Sequence, residues 1–220
     1  MNTGWWIADL LGSGQGALLV SWAVWVIGAI CLHELAHGWA AIRCGDDTPT
    51  LSGHMTWNPL VHMGPMSLLM FALVGIAWGA MPVTPYKMRG RHAEALVALA
   101  GPAMNIALAI GAAILGGIWL SYGGFAGDPM YQNVQVFFRA GVFLNLILAG
   151  FNLLPIPPLD GSRILSHYHR GYRELMGNPQ AQTVAFIILI VIFFQFAGVL
   201  FTPARELAFG SIDVVSSILP

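Results

Sequence analysis

Long apolar runs separated by short polar stretches set the pattern of this chain. Four runs reach the roughly 20 mostly apolar residues that a helix needs to cross a bilayer: residues 17–42, 93–120, 134–154 and 183–201. A fifth, residues 63–80, is apolar but shorter, and Gly64, Pro65, Gly75 and Gly79 interrupt it. Residues 1–11 carry Trp5, Trp6 and Ile7; Trp favours headgroup depth, so this stretch is expected in the interface. The tail after Pro203 is amphipathic and short for a span. Only residues 50–56 have β-like composition, and the flanking Asp46, Asp47, Pro49 and Pro59 point to a small hairpin there. The predicted fold is an all-α polytopic membrane protein: four transmembrane helices, a re-entrant or fifth membrane segment, and a small β-like loop.

The basic residues orient these runs. Arg43 follows the first, Lys87, Arg89 and Arg91 precede the second, and Arg163, Arg170 and Arg173 follow the third. If all seven face the cytoplasm, the positive-inside rule holds throughout. The loop 121–133, with Asp128 and no Lys or Arg, then lies on the far side. This arrangement requires residues 44–90 to begin and end on one side, which makes 63–80 a re-entrant hairpin. The rival is a true fifth crossing, which would place Lys87, Arg89 and Arg91 outside.

Composition agrees. The chain is 57% hydrophobic and 9% charged, against about a quarter charged in soluble domains. A net charge of −1 argues against a nucleic-acid partner. Cys31 and Cys44 are the only cysteines and form no CxxC, so they read as packing residues. The N-terminus lacks a cleavable signal pattern. Without long linkers or repeats, residues 1–220 are expected to form one integral membrane domain: an interfacial N-terminus (1–16), a catalytic core (17–165), and a C-terminal helix and tail (183–220).

The first run contains chemistry. His33-Glu34-Leu35-Ala36-His37 places two imidazoles four residues apart, on one helix face, where they can grip one metal ion. Glu34 is placed to take a proton from a water beside that metal. Two His and a Glu at bilayer depth are costly to keep, so a functional reading is the default.

Catalytic zinc takes three protein ligands and leaves a position open. Of ten carboxylates, most sit in loops or tails, and Glu94 suits the start of a helix. Asp160 stands apart, closing Asn152-Leu-Leu-Pro-Ile-Pro-Pro-Leu-Asp160-Gly161 at the exit of the third run. Three prolines between 155 and 158 force the chain to unwind near the membrane, and Gly161 permits a tight turn. His33, His37 and Asp160 are then expected at similar depth, holding one Zn²⁺ per chain. His62 is next in line as a ligand. His54, His92, His167 and His169 read as interfacial or loop residues.

These residues carry a resemblance. The His33–His37 motif, Ala100-Gly101-Pro102-Ala-Met-Asn105, and Asn152-x-x-Pro155-x-Pro157-x-Leu159-Asp160-Gly161 together resemble the site-2 protease family of intramembrane zinc metalloproteases. The likeness is to the short branch lacking a PDZ or other accessory domain. It covers residues 32–165, including Asn58-Pro59-Leu60-Val61-His62; the branch commonly has Asp where this chain has Gly64. The resemblance implies zinc on His33, His37 and Asp160, with Glu34 as the catalytic base. It also implies Asn105 and Asn152 near the site, where amide donors could meet substrate backbone or a developing oxyanion; helix–helix hydrogen bonding is their other reading. The activity implied is regulated intramembrane proteolysis: hydrolysis of a peptide bond in a membrane-spanning protein or peptide. The implied setting is a multi-pass protein of a prokaryotic inner membrane, with the active site toward the cytoplasm. Residues 50–56 could pair with an unwound substrate by strand addition. A divalent-metal transporter or a metal-binding membrane scaffold are the alternative classes, although neither needs Glu34 beside the first ligand.

Overall fold

A computed structural model describes residues 5–125 and 127–219, and among them every regular element is helical. In chain order these are α1 (Trp6–Gly12), α2 (Gly16–Arg43), α3 (Thr48–Leu51), α4 (Pro59–Val74), α5 (Ala93–Tyr122), α6 (Pro129–Asn152), α7 (Asp160–Tyr168), α8 (Arg170–Met176) and α9 (Pro179–Ser217), with one 3₁₀ turn at Pro85–Lys87. Of the described helices, α2, α5 and α6 are long and apolar enough to cross a membrane. The fourth expected span falls inside α9, where several side chains lie outside the described residues, as do residues 1–4 of the N-terminal stretch.

α5, α6 and α9 pack on one another along small residues. Ala109, Ala112 and Ala113 of α5 meet Val142 of α6, and Ala208 and Ile212 of α9 close the same cluster. α9 does not stop at Pro203; it continues to Ser217 and lays its C-terminal half on the bundle. Ser121 and Ser216 bond across that contact at 2.9 Å. Arg139, inside the third apolar run, is accommodated there too. Its guanidinium lies 4.6 Å over the Phe209 ring and 3.8 Å from Asp213, both on α9.

The segment between α2 and α5 doubles back. α4 kinks at Gly64 and ends at Gly75, whose φ of 77° only glycine adopts readily. An extended run then returns along α4. The Ser67 hydroxyl donates to the Trp78 carbonyl (2.7 Å) and accepts from its N–H (2.8 Å), and Ala80 N–H donates to the His62 carbonyl (2.9 Å). α1 grips the far tip of this loop: the Trp5 indole donates to the Ala72 carbonyl (2.9 Å), and Trp6 packs on Phe71. The loop is closed at its other end by Asp46, which is fully buried. Its carboxylate accepts from Thr48 N–H, the Thr48 hydroxyl and Thr84 N–H.

One expectation is overturned. Residues 50–56 form no hairpin; α3 and two tight turns occupy the stretch. Pro49 sits in the first turn of α3, and the Asp46 carboxylate takes the Thr48 N–H. The N–H groups of Ser52, Gly53 and His54 bond to carbonyls three to five residues back, leaving no strand edge.

Candidate metal centre

Three buried side chains converge between α2, α5 and α7. His33 Nε2 lies 3.0 Å from His37 Nε2 and 3.1 Å from Asp160 Oδ2, and His37 Nε2 lies 3.2 Å from the same carboxylate oxygen. Each residue is only 6–7% exposed. Asp160 opens α7, so its charge also meets the positive end of that helix.

The far side of each imidazole fixes its tautomer. His33 Nδ1–H donates to Asn105 Oδ1 at 2.6 Å, and His37 Nδ1–H donates to the Val97 carbonyl at 2.7 Å. In the neutral rings both Nε2 atoms are then lone pairs facing a carboxylate. Three acceptors about 3 Å apart with no proton among them repel one another, and a cation in their midst resolves the conflict. A tetrahedral ion with ligand distances of about 2.0–2.1 Å sets its ligands roughly 3.3 Å apart, which these spacings match. The residues therefore fit zinc.

Glycines let the walls come this close. A Cβ on Gly101 of α5 would lie 2.5 Å from His33 Nε2, so the helix presents bare backbone to both imidazoles. A Cβ on Gly161 would stand 2.5 Å from the Leu154 carbonyl oxygen; the Pro-rich loop folds onto this residue and aims Asp160 inward. Here close backbone approach, not turn geometry, requires glycine. Glu34, buried on the residue beside His33, packs against the returning run, where a Cβ on Gly79 would sit 2.6 Å from its Oε1. Gly79 was not legible as a site residue; only its place in an otherwise apolar run marked it.

The remaining sequence-predicted residues fall in different places. Asn105 is fully buried, and its amide N–H donates to Asn145 Oδ1 (3.1 Å), while the Asn145 amide N–H donates to the Gly141 carbonyl (2.9 Å). Its side chain is thus spent between His33 and α6. Asn145 has no counterpart among the predicted residues. Asn152, half-buried, donates to the Leu148 carbonyl of its own helix at 3.0 Å. His62 stays outside the triangle, with Nε2 2.6 Å from the Thr56 carbonyl oxygen.

Comparison with known proteins places these features in a wider group. The model of Peptidase family M50 matches residues 21–126 and 115–196. The chain is 36% identical to the "Putative zinc metalloprotease YwhC" of Bacillus subtilis, over 76% of this chain and 77% of that protein. It is 32% identical to the "Putative zinc metalloprotease Rip2" of Mycolicibacterium smegmatis, over 86% and 72% of the two chains. It is 37% identical to the "Putative zinc metalloprotease MJ0611" of Methanocaldococcus jannaschii, over 60% and 62%. No solved structure matches.

Proposed function

This chain belongs to peptidase family M50, the site-2 protease family, and on that premise we propose that it hydrolyses a peptide bond within membrane-spanning protein substrates. The observation that carries the reading is the convergence of two Nε2 lone pairs and one carboxylate, with an uncommitted carboxylate, Glu34, on the adjoining residue. Zinc held by His33, His37 and Asp160 would supply a Lewis acid that polarises the scissile carbonyl and acidifies the attacking water.

The chain's own residues do the rest. Glu34 accepts the proton of that water and delivers it to the leaving amine. Asn105 and the Val97 carbonyl hold both imidazoles in the ligating tautomer. Asn105 is thus a positioning residue, while Asn152, with one N–H and its carbonyl uncommitted to Leu148, is the amide left for substrate. A helical substrate must unwind to expose its backbone, and the extended run through Gly79, beside Glu34, is the stretch against which it would lie.

In this reading α9 supplies a fourth span, residues 63–80 re-enter, and the metal centre opens toward the cytoplasm of a prokaryotic inner membrane. One domain carries the whole activity. Its test is the membrane proteome of cells carrying wild type or Glu34→Gln, paired with the zinc content of each purified protein. The amide keeps the shape but cannot take a proton, so one zinc per chain is expected in both, with uncut substrates accumulating only in the variant. Asp160→Asn should instead lose zinc. Wild-type cleavage by Glu34→Gln would sink the mechanism.

A further inference from the structure

The chain has seven histidines, and their partners separate them. Two form the metal centre. Three bond to nearby backbone: His54 to the Ser52 carbonyl (3.0 Å), His62 through Nε2 to the Thr56 carbonyl (2.6 Å) with its buried Nδ1 unpartnered, and His169 to the N–H of Tyr172 (3.0 Å). The last two, His92 and His167, face each other across two elements, with His92 Nδ1 3.2 Å from His167 Nε2.

We propose that His92 and His167 form a second, weaker site for a divalent transition-metal ion such as zinc. Imidazole nitrogen is a preferred donor for such ions. The 3.2 Å between these nitrogens matches the longest of the 3.0–3.2 Å spacings within the buried triangle, and is close to the roughly 3.3 Å of tetrahedral ligands. An ion bonded to both nitrogens lies beside the line joining them, so a turn of the two rings about their side-chain bonds lets it replace the one proton the pair now shares. The rings are also held in place. His92 stacks on Tyr168 at 5.7 Å and 28°, while His167 meets Tyr168 edge-on at 4.8 Å.

The site differs from the first in strength. His92 is exposed and His167 half-buried, so water must complete the coordination shell. Arg173 donates to the His167 carbonyl at 2.9 Å, and its charge opposes a cation. Among the described residues no carboxylate joins the pair, so the buried triangle fills first. Its position matters more than its affinity. His92 caps α5, whose Val97 and Gly101 wall the metal centre, and His167 lies in the last turn of α7, whose first residue is Asp160. A bound ion would staple together the two helices that frame the first site.

The test counts ions and does not depend on proteolysis. Wild type, His92→Gln and His167→Gln, each purified in detergent with one zinc, are dialysed against rising Zn²⁺ and, separately, Ni²⁺. Metal content and thermal midpoint are then measured. Wild type should reach two ions per chain with a rise in midpoint, while each variant should stop at one ion with no rise. Both positions reach solvent, so the single-zinc variants should match wild type before extra metal is added. Saturation of wild type at one ion would overturn the site, as would a second ion in both variants. Loss of the first zinc in either variant would also overturn it, since the pair would then be a support of the buried triangle.

Discussion

Asn105 has no polar atom left over. Its carbonyl takes the His33 Nδ1 proton and its amide reaches Asn145, so one residue connects α2, α5 and α6. Replacing it with Leu removes the acceptor and frees the His33 ring to rotate or change tautomer. Outer partners of metal-ligating histidines are worth about 10–100-fold in metal affinity. Asn105→Leu should weaken zinc binding by that order in a chelator competition assay, without removing any ligand. An unchanged zinc affinity would return Asn105 to a substrate-facing role. Gly79 acts by what it lacks. In Gly79→Ala the new methyl meets Glu34 Oε1 at 2.6 Å and Glu34 Cγ at 2.7 Å, so the carboxylate must shift while the ligands stay. Misplacement by about 1 Å can cost about 100-fold in rate. Cleavage should fall by at least tenfold with zinc retained, whereas Gly150→Ala, which meets nothing within 4 Å, should leave both unchanged.

At the scale of elements, the returning run that carries Gly79 depends on Asp46. Burial alone would raise that carboxyl, but bonds from the Thr48 hydroxyl and from the N–H groups of Thr84 and Thr48 outweigh it, and Lys87 adds to them. The group is held below its ordinary value in the folded protein. Its contribution is therefore complete above the usual carboxyl range near pH 4 and is lost as pH falls through the lower folded value. Asp46→Asn should lower the thermal midpoint at pH 7, and the gap from wild type should narrow below about pH 4. A gap that stayed constant with pH would mean that the charge plays no part. These bonds also mark where sequence and structure part. Long apolar runs made α2, α5 and α6 legible, and three prolines announced the unwinding before Asp160. Residues 50–56 were misread because the deciding contact is the Asp46 carboxylate, which no alternation of side chains reveals. Arg139 is balanced from α9, 74 positions later, by Asp213. Gly79 and Gly101 matter only through what approaches them in space.

For the whole molecule, the fate of residues 44–90 fixes the orientation of everything after them. The bonds from Ser67 to Trp78 and from Ala80 to His62 bring the chain back beside its entry, and Arg89 N–H donates to the Cys44 carbonyl at the base. In the proposed topology, a segment closed in this way begins and ends at one depth. Its outer helix face, with Leu60, Met66, Leu69 and Leu73 exposed, suits lipid, while the returning backbone is satisfied against protein, as a re-entrant loop requires. Lys87, Arg89 and Arg91 then share a side with Arg43 and with Arg163, Arg170 and Arg173, consistent with the positive-inside rule. Single cysteines at exposed positions test this in a background with Cys31 and Cys44 replaced. Trp57→Cys, Tyr86→Cys and Leu175→Cys should react with an impermeant thiol reagent only after the membrane is opened, and Phe125→Cys should react in intact cells. Labelling of Tyr86→Cys from outside, with Trp57→Cys still protected, would make residues 63–80 a crossing. It would also reverse every later helix, setting Asp160 at the opposite membrane face from the ends of α2 and breaking the metal triangle. The topology and the zinc site therefore stand or fall together.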